Sequence, residues 1–293
     1  MMKRERFGLG DVTIYVAFIL FSLTIAVPFV HLLSISFSPS HVATKGGLIL
    51  WPQEFTADNY TKVLNSKFIW MGYKNTVFRT VVGTLVQIIV TSMGAYALAK
   101  RFFPHRSLWT FVIVFTMFFS GGLIPTYLLV KSLGLINSYA AMILPGLVSA
   151  YNLVIMRNYF SAMPEEIEES CMIEGAGRLR TFFSIVIPLS MPIFATVALW
   201  LAVGHWNAWF DVLIYIMDDR KFTLQIVLRR ILITGTQQMF EMTTNSAFME
   251  QSQASPEGMK MAAIFVATAP ILSVYPFIQR YFVQGIMIGS LKG

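Results

Sequence analysis

An all-α protein that crosses a bilayer six times is the fold class this sequence predicts, and three observations carry it. Hydrophobic residues make up 56% of the chain and charged residues only 13%, too apolar a balance for a soluble domain of this length. Six stretches reach the roughly 20 apolar residues that a membrane helix needs. Basic residues gather at the ends of those stretches rather than among stacking aromatics, so the net charge of +7 reflects membrane topology rather than nucleic-acid binding.

The expected spans are 12–33, 75–99, 108–130, 138–159, 182–205 and 261–281. The first follows Lys3, Arg4 and Arg6, as a secretory signal would, but its apolar core is too long and no A-x-A site follows. It is read as a retained helix. Pro28, Gly83, Gly94, Pro125, Pro145, Pro192, Pro270 and Pro276 fall inside spans. Membrane helices tolerate such residues where neighbours re-satisfy the backbone, so kinks are expected at them.

Orientation follows from the short polar segments. Lys100, Arg101 and Arg106, then Arg157, Arg178 and Arg180, share a side with the basic N-terminus if six helices alternate. The positive-inside rule makes that side cytosolic. Both termini and a loop at about 160–181 are then inside, and long loops at about 34–74 and 206–260 face outward. Within the second of these, residues 222–233 alternate apolar and basic residues around Arg229 and Arg230. That segment reads either as an interfacial docking helix or as a solvated loop helix. No strong repeat or soluble-domain boundary interrupts the chain, which is read as one membrane domain, 1–293.

Chemistry-bearing residues are sparse. The four histidines and the single Cys171 have no metal-ligand spacing, and one cysteine excludes an intrachain disulfide. No G-x-x-x-x-G-K-[ST], G-x-S-x-G or H-E-x-x-H occurs, so neither nucleotide hydrolysis nor a familiar hydrolase chemistry belongs to this chain. Arg79, His31, Arg157 and His205 are read near span ends, leaving the middles without ionisable groups. Ion-coupled carriers usually need such groups, so the energy is expected from a separate polypeptide. Six helices also look like half of a pathway that a homologous partner completes.

The most informative stretch is 165–189, EEIEESCMIEGAGRLRTFFSIVIPL. Pro164 stands at a favourable first helical position, Glu165 and Glu166 complement the helix dipole, and Gly175 and Gly177 supply a stop. From Glu169 come two small residues, Ser170 and Cys171, then Gly175 after three more, and Ile185, Ile187 and Pro188 beyond. This spacing resembles the Glu-Ala-Ala signature of ATP-binding-cassette importer permeases. Ser170 and Cys171 replace its alanines and Ile187 its leucine, each within size class. The tail from Tyr275 to Gly293, the stretch 141–160 and Asn75-Thr76 are similar to carbohydrate permeases of the maltose-permease second-subunit type. The similarity runs to the Gram-positive lipoprotein-associated and rhamnogalacturonan-oligosaccharide subgroup. Read alone, the tail also suits a snorkelling anchor, with Arg280 and Tyr281 at the headgroups.

The resemblance implies a type I importer fold and alternating access. An extracellular binding lipoprotein would hand an oligosaccharide to two permease subunits, driven by an ATPase dimer. No cofactor is expected on this chain, with ATP and magnesium on the ATPase. A coupling helix at about 164–174 would dock in the ATPase, with Glu166 and Glu169 as charged contacts, Ser170 and Cys171 allowing close approach, Gly175 turning into Ala176, and Arg178 contacting either protein or anionic lipid. Polar and aromatic residues that interrupt apolar spans are the expected sugar path: Tyr151, Asn152, His205, Trp206 and Asn207, with Trp209 beside them. An interfacial aromatic belt explains several of them equally well. The alternative function is a secondary transporter or channel of another six-helix family. The net positive charge leans toward an acidic oligosaccharide.

Overall fold

The computed structural model describes residues 9–234 and 254–290, with side chains through 273 and at 276. Every regular element among them is helical. The longer helices, in chain order, are α1 (Leu9–Ser36), α2 (Asp58–Asn65), α3 (Lys67–Ala99), α4 (Arg106–Phe118), α5 (Leu123–Ser132), α6 (Ala150–Ser161), α7 (Glu166–Ile173), α8 (Arg178–Leu189), α9 (Met191–Asn207), α10 (Phe210–Tyr215), α11 (Leu224–Thr234) and α12 (Pro256–Ser290). They group into two compact units, one built from the chain up to Trp70 with Leu228–Pro270, the other from Met71–Val227 and the chain from Ile271.

Among the described residues, α1 and α3 are each long and apolar enough to cross a membrane unbroken, and three bent pairs would each make one further span. The expected span 108–130 is α4 and α5, bent by 115°, because Gly122 at φ +83 turns the chain where a side chain would resist. The expected span 138–159 is a pair of 3₁₀ turns over Tyr139–Gly146 followed by α6, bent by 55°. Pro145 sits in the second turn and Ser149 caps α6 by accepting from the Asn152 amide. The expected span 182–205 starts earlier, in α8, passes through a π turn over Phe182–Val186 and meets α9 at 84°. Pro188, which has no amide hydrogen to donate, and Pro192 flank that corner.

Several positions expected to kink lie inside unbroken helices. Helix α3 continues through Gly83 and Gly94 over 33 residues and begins eight residues before the expected span. A Cβ on Gly83 would lie 2.7 Å from His205 Nε2, so that glycine serves close approach rather than bending. Pro28 likewise lies inside unbroken α1. Its apolar side chains are exposed almost all round, as suits a lipid-facing helix. The last expected span falls within α12, and the tail motif from Phe277 onward lies outside the described side chains.

The first unit is pinned by Asn59. Its amide donates to the carbonyls of Ser36 (3.1 Å) and Ser38 (3.0 Å) and accepts from the Ser255 amide (3.0 Å). Phe37 stacks between Phe55 and Tyr60 at 5.0 and 4.6 Å. Much of the loop expected at 34–74 is therefore structured. In the second unit Ala95, Leu153, Met156, Phe160, Phe182 and Val197 form the centre of an apolar core, joining α3, α6, α8 and α9. Helix α11 buries Leu224, Val227 and Ile231 and exposes Arg229 and Arg230. It is thus an amphipathic packed helix rather than a solvated one. The rest of the expected outer loop, 235–253, lies outside the described residues.

Candidate functional site

Helix α7 starts at Glu166, two residues later than the proline suggests. Glu165 caps it through its backbone carbonyl, which accepts from the amides of Glu168 (3.0 Å) and Glu169 (3.1 Å). Three carboxylates, Glu166, Glu168 and Glu169, crowd the first turn, where the partial positive charge of the helix end favours them. The stop is a paired hydrogen bond: the Gly175 amide reaches the Met172 carbonyl (3.0 Å) and the Ala176 amide the Cys171 carbonyl (2.9 Å). Gly175 has φ +80, the left-handed conformation that this Schellman ending demands.

The two faces of α7 differ. Glu168 points inward, its carboxylate paired with the Lys100 ammonium and accepting from Tyr96 Oη at 3.1 Å. The two charged side chains are 7% and 12% exposed, so this pair is far from a solvated surface bridge, and stripping one partner leaves an uncompensated buried charge. Lys100 also lies 4.7 Å from the centre of the Tyr96 ring. Outward stand Glu166, Glu169, Ser170, Met172 and Ile173, the last 87% exposed. Cys171 is half-buried with Sγ 3.1 Å from the Ile167 carbonyl. Arg101 pairs with Glu165 at 3.2 Å in the open.

Arg178, at the start of α8, lays its guanidinium 3.7 Å over the Phe102 ring. Beside it a cavity of about 270 Å³ is lined by Met93, Ala97, Phe103, Leu179 and Phe182, with Lys100 and Arg178 also at its walls. Sequence reasoning selected Glu166, Glu169, Ser170, Cys171, Gly175, Ala176 and Arg178 and passed over Glu168, Lys100 and Tyr96.

The expected path residues divide. His205 and Trp206 end α9 against α3: His205 Nε2 donates to Gln87 Oε1 (3.1 Å) over Gly83, and Gln87 donates to the Gly146 carbonyl (2.8 Å). Trp206 meets the Tyr73 ring edge-on at 6.4 Å, its buried indole nitrogen without a partner. Asn207 is exposed at the end of the same helix. Tyr151 and Asn152 lie apart from these at the start of α6. Tyr151 is exposed with its ring 6.1 Å from Trp200, and Asn152 is buried.

One ionisable group read near a span end lies well inside its helix. Arg79 is 4% exposed well inside α3, because that helix starts earlier than hydropathy suggests. It grips Asp211 at the start of α10 with both terminal guanidinium nitrogens and donates to the Met142 carbonyl at 3.1 Å. One turn before it, Asn75 donates to the carbonyls of Arg220 (2.8 Å) and Phe222 (2.9 Å) and accepts from Tyr139 Oη (2.8 Å). Thr76 Oγ1 accepts from the Leu224 amide at 2.8 Å. Asn137, at φ +60, accepts from the amides of Met217 and Asp218. On α3, residues spaced by four line one seam: Asn75 and Arg79 fasten it to the segments that follow α9, Gly83 admits His205, and Gln87 bonds His205 and the Gly146 carbonyl.

Comparison with known proteins places this arrangement. Residues 69–288 match the family described as binding-protein-dependent transport system inner membrane component. The polygalacturonan/rhamnogalacturonan transport system permease protein YtcP of Bacillus subtilis (strain 168) is 42% identical over the whole of both chains. Protein LplC of the same organism is also 42% identical, over 91% of this chain and 89% of its own. Among solved structures, a chain of a bacterial ABC transporter involved in the import of the acidic polysaccharide alginate superposes with a TM-score of 0.86 at 30% identity, covering 95% of this chain and 99% of that one. The alternative of an unrelated carrier or channel falls away. The chain belongs to the family of binding-protein-dependent transport system inner membrane components, as a permease, a membrane transport subunit that leaves ATP hydrolysis to a separate protein.

Proposed function

We propose that this permease carries an acidic oligosaccharide across a bacterial plasma membrane by alternating access, spanning it six times as one domain with both termini cytosolic. A second permease subunit, an ATPase dimer holding ATP and magnesium, and an extracellular binding lipoprotein complete the importer. Helix α7 is its coupling helix. The observation that carries this is the outward row Glu169, Ser170, Met172 and Ile173, which mixes charge and apolar surface on a helix whose inner face is pinned by Glu168. Gly175 and Ala176 form its exit, with Glu166 and Arg178 at its flanks and Cys171 a small residue against the helix behind. The acidic substrate class is supported by the net charge of +7 and by the polysaccharides named for two relatives. Tyr151, Asn152, His205, Trp206 and Asn207 are proposed along the sugar path.

Co-purification of the ATPase tests the docking face. Glu169→Lys reverses an interface charge, a change worth about 2–5 kcal/mol where the contact is desolvated, and Ile173→Asp places a second charge on the same face. Both variants are expected to insert normally and lose the ATPase. Normal retention in both would remove α7 as the coupling element.

A further inference from the structure

We infer that Tyr96, Lys100 and Glu168 form a strut that makes the coupling helix and the end of α3 move as one body, so that displacement of α7 is delivered along α3 to Asn75, Thr76 and Arg79. This rests on α7 being the coupling helix and names positioning residues behind its docking face. Glu168 and Lys100 do not reach that face, since both are turned inward.

Four observations support the strut. First, the pair is buried and both carboxylate oxygens of Glu168 are engaged: one takes Lys100, and the other accepts from Tyr96 Oη. Second, its charges match the helix ends they sit on. Lys100 follows directly on the last residue of α3, and Glu168 lies in the first turn of α7, so each is stabilised by its own helix dipole as well as by its partner. Third, apolar packing beneath α7 is thin. Ile167 and Cys171 are only half-buried, and the cavity beside Tyr96 and Lys100 leaves the seam between α3 and α8 partly unfilled. The tether therefore carries load that a filled core would otherwise share. Fourth, α3 is an unbroken helix of 33 residues, about 50 Å at 1.5 Å per residue, and its far half is bonded at Asn75, Thr76 and Arg79. A push at one end has a defined destination.

The test is a spin-label distance in the assembled transporter with its ATPase, in a Cys171→Ser background. Labels at Glu174, beside α7, and at Lys74, on α3, are both exposed. With the native strut, one narrow distance is expected that stays fixed when a non-hydrolysable ATP analogue binds. Glu168→Gln should broaden it and make it shift with the analogue, whereas Lys100→Arg on its own, which keeps the pair, should leave the distance narrow and fixed. Tyr96→Phe removes one hydrogen bond without stranding a charge and should give an intermediate width even if Glu168→Gln fails to fold. Identical distributions in wild type, Glu168→Gln and Tyr96→Phe would overturn the strut. So would loss of the ATPase from Glu168→Gln at normal permease level, which makes Glu168 part of the docking face. If the outward variants Glu169→Lys and Ile173→Asp keep the ATPase, the coupling reading itself fails, whatever the distances show.

Discussion

Removing the two halves of the Arg79–Asp211 pair should have unequal consequences. Asp211→Ala leaves a guanidinium that is 4% exposed with only the Met142 carbonyl to bond. Breaking a buried pair typically costs about 3–5 kcal/mol. The lower end applies here, because the Asp211 side is 26% exposed and water can partly replace it. Arg79→Met instead leaves a carboxylate that water reaches and that still accepts from the Val212 amide at 2.9 Å, so the loss should be nearer about 1 kcal/mol. At about 2–4 °C per kcal/mol for a chain of this order of size, the midpoints should fall by roughly 6–12 °C and 2–4 °C. The double variant should behave like Arg79→Met alone, since the stranded cation is gone. Heating detergent-solubilised protein and following the surviving monodisperse peak by size exclusion measures all three. An Arg79→Met loss equal to or larger than that of Asp211→Ala, or a double variant showing the sum of the two, would refute the reasoning.

Two further outcomes are expected. Gly83→Val drives a side chain into His205, whose Nε2 lies 2.7 Å from the position of the first added atom; overpacking of this kind costs about 1–3 kcal/mol, and His205→Ala in the same chain should recover part of it, as read from the same heating curves. An impermeant maleimide on intact cells should label a cysteine placed at exposed Asn65 and leave Cys171 unlabelled until the membrane is opened; the reverse pattern would invert the proposed orientation.

The helical class, the membrane and the coupling loop were legible because each rests on a local signal: apolar run length, basic flanks, and a glycine two residues past a helix end. Gly175 illustrates the last, since only a left-handed residue closes that helix. The bends were less legible. Pro28 and Gly83 looked like kinks, whereas the sharpest corner falls at Gly122 and another at Ser190. Composition marks where a helix can break, and packing decides where it does. Glu168 escaped notice because four glutamates in six residues look equivalent in sequence. The one signal was phase: Ile167, Glu168 and Cys171 share a face, and Lys100 stands at the end of the apolar run 75–99. Arg79 was placed near a span end because hydropathy started its helix eight residues late. Asp211 and Asn137 pair with positions about 80 to 130 residues away, and no local pattern carries such a distance.

The π turn at Phe182–Val186 gives the family's spacing a mechanical meaning. Such a turn is an α-helix with one surplus residue accommodated in place, and around it Phe182 and Val186 are buried while Leu179 is exposed. Each residue of an α-helix advances the azimuth by about 100°. Removing the surplus would therefore swing one side of the Pro188 corner against the other by roughly that angle, with the exit glycine at Gly175 on one side and the Gln87–His205 contact on the other. Counted this way, the interval from Gly175 to Pro188 is a phase setting. It fixes the azimuth at which α8 enters the corner, and its length is as much a specification as the residues at its ends.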